Sequence, residues 1–445
     1  MENVIAAAQA IYTDEQRMLL ENFRKMAEAE FAPLAEKYED LGHPPDADTL
    51  KSLFAKVEEF GLISGLIPEE DGGAGIDRMT YGILYEELAR IWADLAIAVL
   101  IQSHAVFAVN LLGDAAQKET YLKPLLRSER ICATCISEPE VGSNVREVKT
   151  RAERKGDKIF VTGQKLWISN GAQSDFAIVV CNLDDGISMV IVDRDKGGYE
   201  SRELRKMGLV GASTCELFFD RAETTDAHVL GNSGGGLFQT LKLFESARVF
   251  VGLTSIGIAQ AALECAVKYA QDREQHGKPI GGHQLIQGYL ADMATHLDAG
   301  RLLCQRGLQL LDMGVRCDTQ TSMAKWYATE MAVEIAGKAV QIHGGNGITK
   351  EFPVERHFRN AKVMPIPDGT TEIQKLVMGR NLTGLTSGLG PFEFARAQPT
   401  LEDYPIILRG TKGPITDRSP EALYARACSQ GWANTCGRLI DDIRE

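Results

Sequence analysis

The sequence predicts an α+β protein, mainly α: an N-terminal helical domain, a central β domain of sandwich or barrel-like form, and a C-terminal four-helix bundle. Three observations predict it. Apolar residues recur at helical spacing up to about residue 130. Short β-type runs, punctuated by Gly-Asp, Asn-Gly and Asp-Gly, fill the next hundred or so positions. Helical spacing then returns as far as about residue 385. A chain of 445 residues exceeds what one hydrophobic core usually serves. The expected boundaries are 1–130, 131–232 and 233–385, with an extension of unassigned role over 386–445.

In the first segment Thr13 and Gln16 fit a capping box, and Met18, Leu19, Phe23, Met26 and Phe31 follow at helical spacing. Glu69 to Gly75 reads as a loop. Met79 to Leu112 reads as helix, apolar on nearly all sides from Ala96 to Leu111, hence buried. His104 in that run reads as a core histidine. The β-type runs are Ile131–Ser137, Lys158–Thr162, Lys165–Ile168, Phe176–Cys181, Ile187–Asp193 and Cys215–Phe219. In the bundle, Leu285, Tyr289, Met293 and Leu297 recur every four residues, as do Met323, Tyr327, Met331 and Ile335. Prolines break up the tail, where Ser419 and Pro420 form a helix-start pattern.

Composition excludes several classes. A net charge of -13 is the wrong sign for a nucleic-acid surface. No apolar run is expected to span a membrane, and the first residues lack signal-peptide and transit-peptide character, so the expected location is cytoplasmic. Nine scattered cysteines do not form a disulfide framework. Cys132 and Cys135 sit three apart in a strand, which puts their thiols on opposite faces. No metal-ligand spacing, nucleophile elbow or phosphate loop occurs, so no metal is expected.

The stretch Gln341–Gln374 carries the most chemistry. Gly344, Gly345 and Gly347 end a helical pattern and allow close backbone approach to a ligand. Glu351, Arg356 and Asn360 are expected on a new helix. Asp368 stands in a Pro-Asp-Gly-Thr loop before another helix. A carboxylate there can be a general base or a helix N-cap, and for an isolated Asp-Gly the cap is the commoner role.

Five stretches in order resemble the acyl-CoA dehydrogenase family: Ile136 to Ser143, Trp167 to Gly171, Phe244 to Arg248, Arg273 to Pro279, and Gln341 to Asn360. The resemblance covers roughly residues 10 to 385 in the family's order of domains. It implies an FAD enzyme in which a base removes the α-proton of an acyl thioester and the β-hydride goes to flavin N5. It implies flavin contacts at Ser137, Gly142, Ser143, Trp167, Ser169 and Thr370. By the same resemblance, Gln275 and Gln284 are further cofactor contacts, and Arg273, Gln341, Gly344 and Gly345 serve the FAD of a neighbouring subunit, which implies a homo-oligomer, most simply a tetramer. Ser143, Glu245, Arg248 and Gly369 are the implied substrate contacts, and an electron-transferring flavoprotein is the implied acceptor.

At the base the sequence departs from the common pattern. Most members carry Glu where this chain has Asp368, and a minority carry it beside the arginine matching Arg248, where this chain has Ala247. Asp is shorter by one CH₂, about 1.5 Å of reach. Two branches resemble the choice of Asp: dehydrogenases of alicyclic acyl-CoA and nitroalkane oxidases. Asn144, Glu147, Val210 and His276 also depart from the family motifs, and no Arg lies within Ala96–Ser103 for a second substrate carboxylate. The expected activity is dehydrogenation of an acyl-CoA with a branched or alicyclic acyl group. The alternatives are a flavin oxidase or monooxygenase of the same fold, a dehydrogenase of carrier-protein-bound acyl groups, and an assembly partner without turnover.

Overall fold

The computed structural model describes residues 10–385. The helix start expected at Ser419 and Pro420 lies outside the described residues. Helix α1, Asp14–Glu30, begins with the capping box: Gln16 N–H donates to Thr13 Oγ1 and Thr13 N–H to Gln16 Oε1, both at 3.1 Å. Its buried stripe is Leu20, Phe23 and Ala27, while Met18 stays 62% exposed. Helices α2 (Ala32–Leu41) and α3 (Ala47–Glu58) follow. Glu69–Asp71 forms a short 3₁₀ turn in the expected loop.

The expected single helix from Met79 to Leu112 is two, α4 (Arg78–Ile91) and α5 (Ala93–Leu112). The break is at Trp92, whose backbone leaves the helical region (φ -148°, ψ 89°) and whose buried ring stacks on Tyr38 at 5.8 Å. Just beyond it, buried Asp94 accepts from Gly211 N–H (2.6 Å) and Ala212 N–H (3.1 Å), tying α5 to the central sheet's loops.

The central strands are β1 (Cys132–Cys135), β2 (Arg151–Lys155), β3 (Lys158–Ser169), β4 (Phe176–Leu183), β5 (Gly186–Asp193), β6 (Glu200–Glu203), β7 (Thr214–Thr225) and β8 (Val229–Leu230). They form one mixed eight-stranded sheet, ordered β6-β7-β3-β2-β4-β5-β8, with β1 beside β4. β1 and β2 run parallel to β4 and the other pairs are antiparallel. The two expected runs at Lys158 and Lys165 are one strand, because its ladder with β7 continues through bulges at Val161/Gly163 and Lys165/Ile168. β2 and β6 escaped the sequence reading because their residues are largely charged and exposed. Cys132 does face away from Cys135. The first packs in the core shared with the helices, the second in a core of strands alone, with Val161, Val179 and Leu217.

The helical region contains α6 (Gly236–Asp272), α7 (Gln284–Asp312), α8 (Asp318–His343), α9 (Val354–Val363) and α10 (Thr371–Thr383). A small hairpin, Glu274–Gln275 against Lys278–Pro279, joins α6 to α7. Arg356 and Asn360 lie on α9, but Glu351 precedes it. On α7 the expected stripe is buried only from Met293 onward, and Leu285 is 80% exposed. On α8 the buried line is Thr321, Lys325, Ala328, Ala332, Ile335 and Ala339 rather than the methionines beside it. Small residues there let α6 and α8 approach closely. α4 and α6 also pack closely at Gly257, where a Cβ would lie 2.6 Å from Arg90 N and Glu86 O. Gly257→Ala should therefore lower stability by about 1–3 kcal/mol, read from the urea midpoint, despite the better helix former.

Among the described residues, two helices, Ala93–Leu112 and Gly236–Asp272, are long and apolar enough to cross a membrane, contrary to the expectation that no run is. Most of each apolar window is buried inside the protein, so the core accounts for its apolarity.

Candidate active site

The loop between α9 and α10 carries Asp368. Pro365 and Pro367 stop α9 from continuing. Asp368 (φ 54°) and Gly369 (φ 86°) then take left-handed backbone in succession. Asp tolerates that region better than most side chains, and Gly carries no penalty there. Helix α10 is capped by Thr370, whose Oγ1 accepts from Ile373 N–H at 3.4 Å. The capping role considered for Asp368 thus falls two residues later, because the helix starts at Thr371.

The loop is held through its carbonyls. Lys325 Nζ donates to Pro365 O (3.0 Å) and Gly369 O (2.8 Å). Gln374 Nε2 donates to Asp368 O (3.2 Å) and Gly369 O (2.8 Å). Both side chains are fully buried. Any side chain at Gly369 would meet Gln374 Nε2 at 2.7 Å.

Four helices bring groups within electrostatic reach of Asp368: Tyr85 on α4, His104 on α5, Arg248 on α6 and Lys325 on α8. Burial raises the Tyr85 phenol, which donates to Ala96 O at 2.9 Å. Burial lowers His104, and its Nε2 is enclosed without a partner. Burial also lowers Arg248, against the opposing charges of Glu245, Asp318 and Asp368, and its Nε has no partner. Burial raises Glu245, which accepts from Cys317 N–H at 3.4 Å. Lys325 is pushed down to about 8 by burial. Arg248 thus lies within electrostatic reach of both Glu245 and Asp368. Spacing alone gives no role to Tyr85, Lys325 or Gln374, and His104, expected as a core histidine, is enclosed on α5. The available signal for Lys325 was its place on a buried helical line, at 321, 325, 328 and 332.

A second group sits on the sheet. Trp167 lies in the second bulge of β3, with φ 65° and 62% of its surface exposed. A large apolar side chain on strained backbone facing outward suits a ligand-packing surface. Asn170 (φ 58°) donates through Nδ2 to Ala98 O (3.0 Å), joining this turn to α5, the helix that carries His104. Leu166 N–H donates to Ser137 O (3.0 Å), which places Ser137 beside the strand bearing Trp167 and Ser169. Glu138 and Val141 close a tight turn, leaving Gly142 and Ser143 exposed. Beneath it, Lys165 Nζ donates to Glu138 Oε1 (2.8 Å), Ile136 O (2.9 Å) and Val180 O (2.6 Å). Burial pushes the Glu138 carboxyl up, but hydrogen bonds from Lys165 and Thr150 outweigh it and hold the group below its usual range.

The remaining candidates are elsewhere. Arg273, Gln275, Gln284, Gln341, Gly344 and Gly345 are all exposed. Tyr269, in the last turn of α6, stacks on His343 at 4.2 Å and accepts from Asn346 Nδ2 at 3.1 Å, so Arg273 and the glycine turn share one end of the bundle. Gln341 lies 16 residues along α8 from Lys325, about 24 Å from the loop that Lys325 holds. This set does not belong with Asp368.

The residues suit FAD in kind. Trp167 offers an aromatic face. Ser137, Ser143 and Ser169 offer hydroxyls. Gly142, Gly344 and Gly345 have nothing within 4 Å of where a Cβ would be, so a ligand can approach their backbone.

An exposed aromatic platform with approachable glycine backbone, on a helical–β–helical chain that also carries a carboxylate loop, fits an enzyme that works with a bound planar cofactor. Comparison with known proteins names it more closely. Residues 13–129, 133–222 and 234–383 match the N-terminal, middle and C-terminal domain models of acyl-CoA dehydrogenase. An acyl-CoA dehydrogenase of Bacillus subtilis is 37% identical over 84% of this chain and 99% of its own length. A cyclohex-1-ene-1-carbonyl-CoA dehydrogenase of Syntrophus aciditrophicus is 38% identical over 83% and 90%. A glutaryl-CoA dehydrogenase from Mycobacterium smegmatis superposes with a TM-score of 0.81 at 31% identity, covering 85% of this chain and 97% of its own. A structure of a glutaryl-CoA dehydrogenase from the same organism is in complex with FADH2. The chain belongs to the acyl-CoA dehydrogenase family, oxidoreductases that act on the CH–CH bond of acyl-CoA.

Proposed function

We propose that this protein dehydrogenates a branched or alicyclic acyl-CoA, with Asp368 as the base that removes the α-proton. The observation that carries the reading is the carboxylate of a residue freed from helix capping, on a loop braced by buried Lys325 and Gln374. Asp368 takes the α-proton and becomes neutral, while negative charge develops on the thioester. Tyr85 and His104, both enclosed, lie within electrostatic reach of that carboxylate, and their burial would limit competition from water for the proton. FAD, when bound, supplies the hydride acceptor for the β-carbon. Trp167 would pack on its ring, and Ser137, Ser143, Ser169, Thr370 and the Gly142 backbone would hydrogen-bond to it. Gln275 and Gln284 would be further FAD contacts, and Arg273, Gln341, Gly344 and Gly345 would hold the FAD of a neighbouring subunit, which makes the working enzyme a homo-oligomer, in the simplest case a tetramer. Ser143, Glu245, Arg248 and Gly369 would contact the substrate. An electron-transferring flavoprotein would then remove the electrons.

Two facts favour the alicyclic substrate. Asp is the shorter base, and a relative 38% identical is named for a cyclohexenyl thioester. The test is anaerobic titration of the purified protein with linear, branched and alicyclic acyl-CoAs. Flavin bleaching fastest with the branched or ring-bearing thioesters is expected. Bleaching by none of them, with peroxide released from a nitroalkane in air, would overturn the proposal.

A further inference from the structure

Lys325 carries an amine into the core of the bundle, on the α8 line shared with Thr321, Ala328 and Ala332. No part of it is exposed. Burial works against its charge, opposed by Asp368, Glu330 and Glu372, while Arg248 adds to the penalty. A lysine in such surroundings costs stability unless its donors are used. Here they are used on one loop: Nζ grips Pro365 O at 3.0 Å and Gly369 O at 2.8 Å, the carbonyls that bracket Asp368. Gln374, equally buried, grips Asp368 O and Gly369 O from the following helix.

The pair of left-handed residues between those carbonyls is a backbone state that persists only where its surroundings over-determine it. Of the basic groups that reach Asp368, His104 and Arg248 have ring or guanidinium nitrogens enclosed without a partner. Among the described residues, Lys325 is the basic group that also bonds the loop's backbone. We infer that Lys325 is the positioning residue for Asp368, holding the loop so that the carboxylate faces the substrate's α-carbon. The inference rests on Asp368 being the base and names what aims it.

Lys325→Met keeps the length of the side chain and removes its charge and donors. In the flavin-loaded enzyme, flavin reduction at saturating acyl-CoA should fall on the order of a hundred-fold, the size of effect that about 1 Å of misplacement produces. KM should hold, and the α-deuterium isotope effect on reduction should rise as proton transfer becomes the slow step. Gln374→Met should act in the same direction, less strongly. A merely structural lysine would instead lower the melting temperature and leave the rate per bound flavin and the isotope effect as they were. That result, or a wild-type rate in Lys325→Met while Asp368→Asn is dead, overturns the inference. An active Asp368→Asn would mean that the base itself is misassigned. If Lys325→Met yields no folded holoenzyme, Lys325→Gln, which keeps an amide donor, is read by the same criteria.

Discussion

Asp368→Asn should lose flavin reduction by its true acyl-CoA on the order of a thousand-fold. A positioned general base contributes about 10²–10⁴-fold, and an amide of the same shape accepts no proton. Flavin content and the binding of substrate should be unchanged, because the carboxylate caps no helix and the loop's grip runs through carbonyls that Asn retains. Asp368→Glu tests the length argument separately. It adds about 1.5 Å of reach and places a bulkier side chain on left-handed backbone (φ 54°). Ring-bearing thioesters should then react more slowly, and linear ones should gain relative to them. Stopped-flow bleaching measures both variants. Near-normal reduction by Asp368→Asn would remove Asp368 from the mechanism. An unchanged preference in Asp368→Glu would leave it as the base but detach the substrate class from the missing methylene.

The legible parts of this fold were those where local pattern and tertiary packing agree. The capping box at Thr13 depends on four neighbouring residues and formed as read. The apolar strands Phe176–Leu183 and Gly186–Asp193 are buried on both faces, so their composition announced them. Where the two disagree, the pattern misled. Arg151–Lys155 is a strand because β3 pairs along it, not because its charged residues favour one. Leu285 and Tyr289 continue a helical stripe past the edge of the core. The α4–α5 break follows from Trp92 docking on Tyr38, a contact between distant segments.

The same divide runs through the site. The Pro-Asp-Gly-Thr loop at Asp368 is a local signal, but by itself it favours a helix cap, and the reading as a base came from the family resemblance. Tyr85, His104 and Arg248 converge on Asp368 from three separate helices, and no spacing encodes that meeting. Lys325 lies between these cases. Its helical phase marked it as buried, but only the fold shows which carbonyls it bonds.

The largest stability effect should come from the central sheet. Lys165 is fully buried and its partner Glu138 nearly so, with side chains 0% and 4% exposed. Lys165→Met leaves an ionised carboxylate in place with only the N–H groups of Lys149 and Thr150 to satisfy it, at 2.7 and 2.9 Å. Breaking such a pair from one side costs about 3–5 kcal/mol, mostly as the uncompensated charge. Joining Lys165→Met to Glu138→Gln should recover part of that loss, since the stranded charge is then gone. The pH dependence has a definite sign. Glu138 is held below its usual range, so its contribution is present above the ordinary carboxylate value and is lost as pH falls through the folded one. The gap in melting temperature between wild type and Glu138→Gln should accordingly narrow below about pH 4. The pair also fastens the turn that presents Ser137, Gly142 and Ser143. If that turn serves the flavin, Lys165→Met protein that still folds should hold less of it, read as the ratio of flavin to protein absorbance. Full flavin content in a destabilised Lys165→Met protein would confine the pair to holding the sheet together.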